Sequence, residues 1–142
     1  KKIRHKEKFF NSLVSFFPKK YSFIKKRVGL TILLSNNKNI KKLNKNFRNK
    51  NKPTDVLSFP SEKKINLRKS SYLGDIIISY EFMNKPKNLN SHGFKYRVIK
   101  IFIHAYLHLL GYDHIKQKDF KKMIKEEEKI FNFIKTKIVK IV

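Results

Sequence analysis

The chain of 142 residues contains no cysteine. That excludes a disulfide framework and any thiolate metal site, so a transition metal would have to rest on histidine and carboxylate; a reducing compartment fits. No stretch approaches the roughly eighteen consecutive apolar residues of a membrane-spanning helix. The opening KKIRHKEKFF lacks both the apolar core and the small-residue cleavage site of a secretory signal. A soluble, cytoplasmic protein with no membrane partner is expected. At this length one domain with a real core is the natural unit, and residues 1–142 are read as a single domain, the last seven or so trailing free.

Acidic residues are also scarce. Ten face 35 lysines and arginines, for a formal net charge of +25, which suits a polyanionic partner, nucleic acid before an anionic membrane. The excess is mostly lysine, amid much asparagine, isoleucine and phenylalanine, and part of it is what an AT-rich genome writes at tolerant surface positions. The arginines Arg4, Arg27, Arg48, Arg68 and Arg97 therefore carry more information than the lysines. Guanidinium appears where lysine was the easier codon, and it alone offers a planar fork for phosphate.

Apolar spacing predicts an amphipathic helix over Lys6 to Phe17, stopped by Pro18. RVGLTILL (Arg27 to Leu34) reads as a strand, and Ile40, Leu43 and Phe47 return to helical period from Lys38 onward, delivering Arg48 into a polar loop. DVLSFP gives a second strand, Asp55 to Phe59, closed by Pro60; Ser61 to Ser71 is polar loop. The third strand, Leu73 to Ser79, is apolar enough to be buried on both faces. Tyr80 to Phe94 starts with helical character and breaks near Pro86. A helix from about Lys95 to Leu110 is apolar nearly all round, hence central, and a last one runs from about Gln117 to Lys135. The expected fold class is α+β, a small mixed sheet packed with helices, with no internal repeat.

The stretch with the most chemistry is HAYLHLLGYDH, His104 to His114. Its H-x-x-x-H-x-x-G-x-x-H spacing is that of a large class of zinc hydrolases. His104 and His108 lie one turn apart on a single helix face; Gly111 lets the chain leave the helix left-handed so that His114 can return. Three imidazoles would hold one Zn2+ and leave a fourth tetrahedral position to water, the pattern of a catalytic site. Ala105 stands where a zinc peptidase carries its glutamate base, so peptide hydrolysis is disfavoured. Asp113, the nearest acid, could accept a proton or orient an imidazole. A phosphodiester fits better, because a metal ion can polarise a non-bridging oxygen without a dedicated carboxylate.

HAYLHLLGYDH, together with LNKNFRNKNKPTDVLSFP (Leu43 to Pro60) and LGDIIIS, resembles the bacterial YbeY endoribonucleases, the rRNA maturation factors, over most of the chain. The resemblance implies a single-strand-specific, metal-dependent endoribonuclease acting in 16S rRNA 3′-end maturation and ribosome quality control. It implies one zinc ion on His104, His108 and His114, no organic cofactor, and the ribosome or small-subunit proteins as partners. Arg48 matches the family's functional arginine in Y/F-R-x-K-x-x-P-T. The sequence departs from the family at Ala105, where glycine is usual, and in lacking much of the first strand.

Arg48 also has a reading of its own: at a helix end before a proline-braced loop, it could neutralise charge on a transferring phosphoryl group. Thr54, Asp55 and Asp75 are expected to be structural. Tyr72, Tyr96 and Tyr112 could stack on bases but are mainly expected in packing. Two other readings remain: a non-catalytic ribosome assembly factor with a structural zinc, and a metallopeptidase-like hydrolase without its base.

Overall fold

In the computed structural model the described residues are 2–22, 28–61, 71–85 and 91–140. The helix α1 (Lys2–Ser15) is followed by a single turn, α2 (Lys19–Ser22), and then by β1 (Val28–Ser35), α3 (Asn37–Arg48), β2 (Val56–Pro60) and β3 (Ser71–Ser79). A second short turn, α4 (Tyr80–Met83), precedes the long helices α5 (Ser91–Leu109) and α6 (Gln117–Ile134) and a 3-10 turn, Ile138–Lys140. Arg27 and most of the expected loop after Ser61 lie outside the described residues.

The sheet has the order β1-β3-β2, with β1 parallel and β2 antiparallel to the central β3. A central strand must bury both faces, which is why its sequence does not alternate. Leu73, Ile76 and Ile78 enter the main core beside Phe102, Ile103 and Tyr106 of α5. On the other face Ile77 meets Ile40 of α3 and Leu57 of β2. The result is three layers: α3, the sheet, and the α1, α5 and α6 helices. Gly74 permits the close approach of β2 to β3. With φ +135°, a Cβ there would stand 2.2 Å from the Phe59 carbonyl oxygen, which no side chain tolerates.

Local chemistry fixes the ends of α3. Asn36 accepts from the Asn39 amide at 2.9 Å as N-cap, and Asn49 terminates the helix in the left-handed region at φ 55°. The buried Asn44 donates to the Lys52 carbonyl at 2.8 Å, pinning the loop that follows Arg48. Asp55 accepts from Thr54 Oγ1 at 3.1 Å and the Val56 amide at 2.7 Å, the strand-starting role expected for this pair. Asp75 accepts from the Tyr72 hydroxyl, also a structural contact.

Some boundaries move. The segment after Ser79 forms α4 because Ser79, fully buried, caps it through the Phe82 amide at 3.3 Å. Arg97 reaches back from α5 to the carbonyls of Met83, at 3.1 Å, and Lys85. One of the five arginines therefore holds the α4–α5 joint rather than advertising a phosphate site. The chain after Lys135, expected to trail free, instead places Ile138 in the core, fully buried. Among the described residues, no helix is long and apolar enough to cross a membrane.

Candidate metal centre

The three histidines come together at the C-terminal end of α5. Their ligand atoms all lie within 4.8 Å of one another, with His104 and His108 half-buried and His114 exposed. The helix ends in a Schellman arrangement: the Gly111 amide donates to the His108 carbonyl at 3.0 Å and the Tyr112 amide to that of Leu107 at 3.1 Å. Gly111 has φ +98°, and a Cβ there would meet nothing within 4 Å. Backbone conformation, not space, demands the glycine. The turn then carries His114 back over the last turn of α5, its ring 4.9 Å from that of His108 and 5.6 Å from that of His104.

The far nitrogens show which atoms are aimed at the centre. His108 Nδ1 lies 2.9 Å from the Tyr112 carbonyl oxygen, which can only accept, so the ring proton is on Nδ1. His104 Nδ1 lies 2.5 Å from Glu127 Oε1, and the carboxylate accepts the proton that Nδ1 carries. The two Nε2 atoms face each other at 3.2 Å. Nitrogens of two tetrahedral ligands at ~2.0–2.1 Å from one zinc stand ~3.3 Å apart. The observed spacing matches this value, and the three-imidazole donor set fits a metal ion. Burial, with the neighbouring His104 and His114 adding to it, holds His108 below its ordinary pKa, so it stays in the neutral form a metal needs.

Arg48 is joined to this helix through β2. Its Nη2 donates to the Ser58 carbonyl at 2.9 Å, and Ser58 Oγ, buried, donates to the Ala105 carbonyl at 3.1 Å. Arg48 is exposed, and the preceding Phe47 is 64% exposed, held edge-on by Phe59 with ring centroids 5.3 Å apart. The exposed Phe120 lies edge-on to His114, ring centroids 6.5 Å apart.

Asp113 does not orient an imidazole. It accepts from the His114 amide at 2.6 Å and so shapes the turn; the orienting groups are Glu127 and the Tyr112 carbonyl. Sequence reasoning passed over Glu127. Its signal was available: on α6 it falls on the stripe of the buried Met123, Ile130 and Ile134, at i−4, i+3 and i+7. A carboxylate on a core-facing stripe needs a partner. The adjacent Glu126 accepts from Tyr21, whose hydroxyl lies 3.2 Å from that of Tyr112, and the bond from Tyr21 holds Glu126 below the usual carboxylate range. Tyr112 is thus tied into packing, and Tyr96 packs against Phe131; Tyr72 is 47% exposed but engaged through its hydroxyl with Thr31 and Asp75.

Fold and site together define an α+β domain built around a three-histidine cluster able to hold a metal ion. Residues 1–135 match the family described as endoribonuclease YbeY, and the chain belongs to that family. It is 73% identical over 138 residues to the endoribonuclease YbeY of Pelagibacter ubique, covering 97% of this chain and 90% of that protein. It is 40% identical over 106 residues to the namesake from Sulfurihydrogenibium sp., covering 74% and 69%. The solution structure of TM1509 from Thermotoga maritima is similar with a TM-score of 0.51 and 26% identity, over 96% of this chain and 88% of that one.

Proposed function

We propose that this endoribonuclease cleaves single-stranded RNA at the histidine cluster, with one zinc ion held by His104, His108 and His114 and with Arg48 neutralising the scissile phosphate. The observation that carries the reading is the convergence of two Nε2 atoms, 3.2 Å apart, with a third histidine turned in beside them. A zinc ion bound there would supply Lewis-acid polarisation of a phosphate oxygen and an acidified water. The chain's own residues do the rest. Arg48 has further guanidinium N–H groups beyond the one on Ser58, and these can receive phosphate. Exposed Lys38, Lys41, Lys42 and Lys45 on α3, and Lys116, Lys118, Lys121 and Lys122 around the start of α6, give salt-sensitive affinity for the backbone.

Preference for unpaired strands is supported by Phe47 and Phe120. Both expose an aromatic ring, one beside Arg48 and the other beside His114, and a base can stack on either only when freed from a duplex. Peptide hydrolysis has no support: Ala105 is fully buried and offers no proton acceptor. In the cell the reading extends to 16S rRNA 3′-end maturation and ribosome quality control in the cytoplasm, with small-subunit proteins as partners.

The test is metal analysis and RNA cleavage by the wild type and His108→Ala. Loss of both zinc and cleavage in the variant is expected, and equal zinc in the two proteins would remove the site assignment. End-group analysis of the products then identifies the nucleophile: a 2′,3′-cyclic phosphate means attack by the 2′-hydroxyl, a linear phosphate direct attack by water. A purely structural zinc would instead leave Arg48→Ala fully active.

A further inference from the structure

In this strongly basic chain one carboxylate, Glu127, is paired with His104 of the cluster. Glu127 is a half-buried carboxylate on the core-facing stripe of α6, 28% exposed, meeting an imidazole that is itself 31% exposed. Its Oε1 sits 2.5 Å from Nδ1 of His104, on the opposite side of the ring from the Nε2 that faces His108. Glu127 therefore does not look into the cluster, and it has no geometry for taking a proton from a group bound there.

From this placement we propose that Glu127 is a positioning residue for the metal centre: it holds the Nδ1 proton of His104, fixes the ring plane, and so keeps Nε2 presented as a ligand. The inference rests on the metal reading of the histidine cluster and adds to it. The Tyr112 carbonyl does the same for His108 from within the turn. His104 sits a full helical turn before that turn begins and finds no such acceptor on α5, so its orientation is set from α6. Met123, Ile130 and Ile134 anchor α6 on the core and bring the carboxylate within reach. Metal affinity is thereby made to depend on the packing of a helix that supplies no ligand. Removing an acceptor of this kind typically weakens metal binding by about 10–100-fold.

The experiment measures zinc affinity by chelator competition, the visible absorption of the cobalt-substituted protein, and thermal unfolding of the metal-free protein. The variants are Glu127→Met, which keeps side-chain length and apolar packing without an acceptor, and Glu127→Gln, whose amide oxygen can still accept from Nδ1. Expected is a zinc Kd weakened by about 10–100-fold and an altered cobalt spectrum in Glu127→Met, with Glu127→Gln within a few-fold of wild type. The metal-free melting temperatures should stay close together. Unchanged zinc affinity in Glu127→Met would overturn the proposal. So would a lowered metal-free melting temperature with affinity intact, which would make the pair an interhelical tether only. Failure of the wild type to bind zinc at all would take away the metal reading beneath it, a result distinguishable from either of these.

Discussion

Replacing Gly111 by alanine separates the two demands a turn can make on glycine. At φ +98° an alanine is strained whatever room surrounds it, and the open space at its Cβ means that no steric clash is added. The cost is therefore conformational, about 1–2 kcal/mol for a left-handed non-glycine residue. For a chain of this size that lowers the melting temperature by roughly 2–8 °C. The strain can be relieved by letting α5 run on past Leu109, which would carry His114 off its place beside His104 and His108 and weaken zinc binding more than stability. Thermal unfolding of the metal-free protein and chelator-competition titration of zinc read the two effects separately. Gly74→Ala is the comparison: its Cβ would overlap the Phe59 carbonyl at 2.2 Å, so it should cost more stability than Gly111→Ala. A Gly111→Ala protein with wild-type stability and wild-type zinc affinity would refute both the strain argument and the role of the turn in delivering His114.

Three other outcomes are expected. Arg48→Ala should reduce RNA cleavage by about 10²–10³-fold with bound zinc unchanged, and Arg48→Lys should recover little of it because lysine lacks the second prong; single-turnover cleavage and metal analysis check this. Phe120→Ala should raise the KM for a single-stranded oligonucleotide by roughly 5–150-fold, the range for losing one stacked base, and Phe120→Tyr should restore it. The metal-free protein should lose stability as pH falls below 6.5: the folded state holds His108 under that ordinary value, so the unfolded chain takes up the proton first. Melting curves between about pH 7 and pH 5 should show a decline that is flatter in His108→Ala.

Much of the fold was legible because the apolar periods were strong. Each principal helix and strand was foreseen within a few residues, and the unbroken LGDIIIS run correctly announced a strand buried on both sides. The misplacements came where a distant group decides a local end. Ser79 and Arg97 stabilise α4 and its joint with α5, and Ile138 is drawn into the core by surroundings that its own segment does not encode. Arginine scarcity pointed to phosphate with unequal success: Arg97 serves backbone carbonyls, while Arg48 stands exposed at the end of α3.

The sequence by itself determined where a metal could be held, because a helix of fixed period and one glycine dictate how His104, His108 and His114 meet. It also determined that no peptidase base stands at position 105, and the three sequence blocks together carried the family resemblance. Only the tertiary structure decided what orients the ligands. Glu127 lies 23 residues from His104 along the chain, and Arg48 connects to α5 through Ser58 of β2, which bonds to both helices. Such contacts depend on how elements pack, and packing is a property of the whole chain that local spacing does not record.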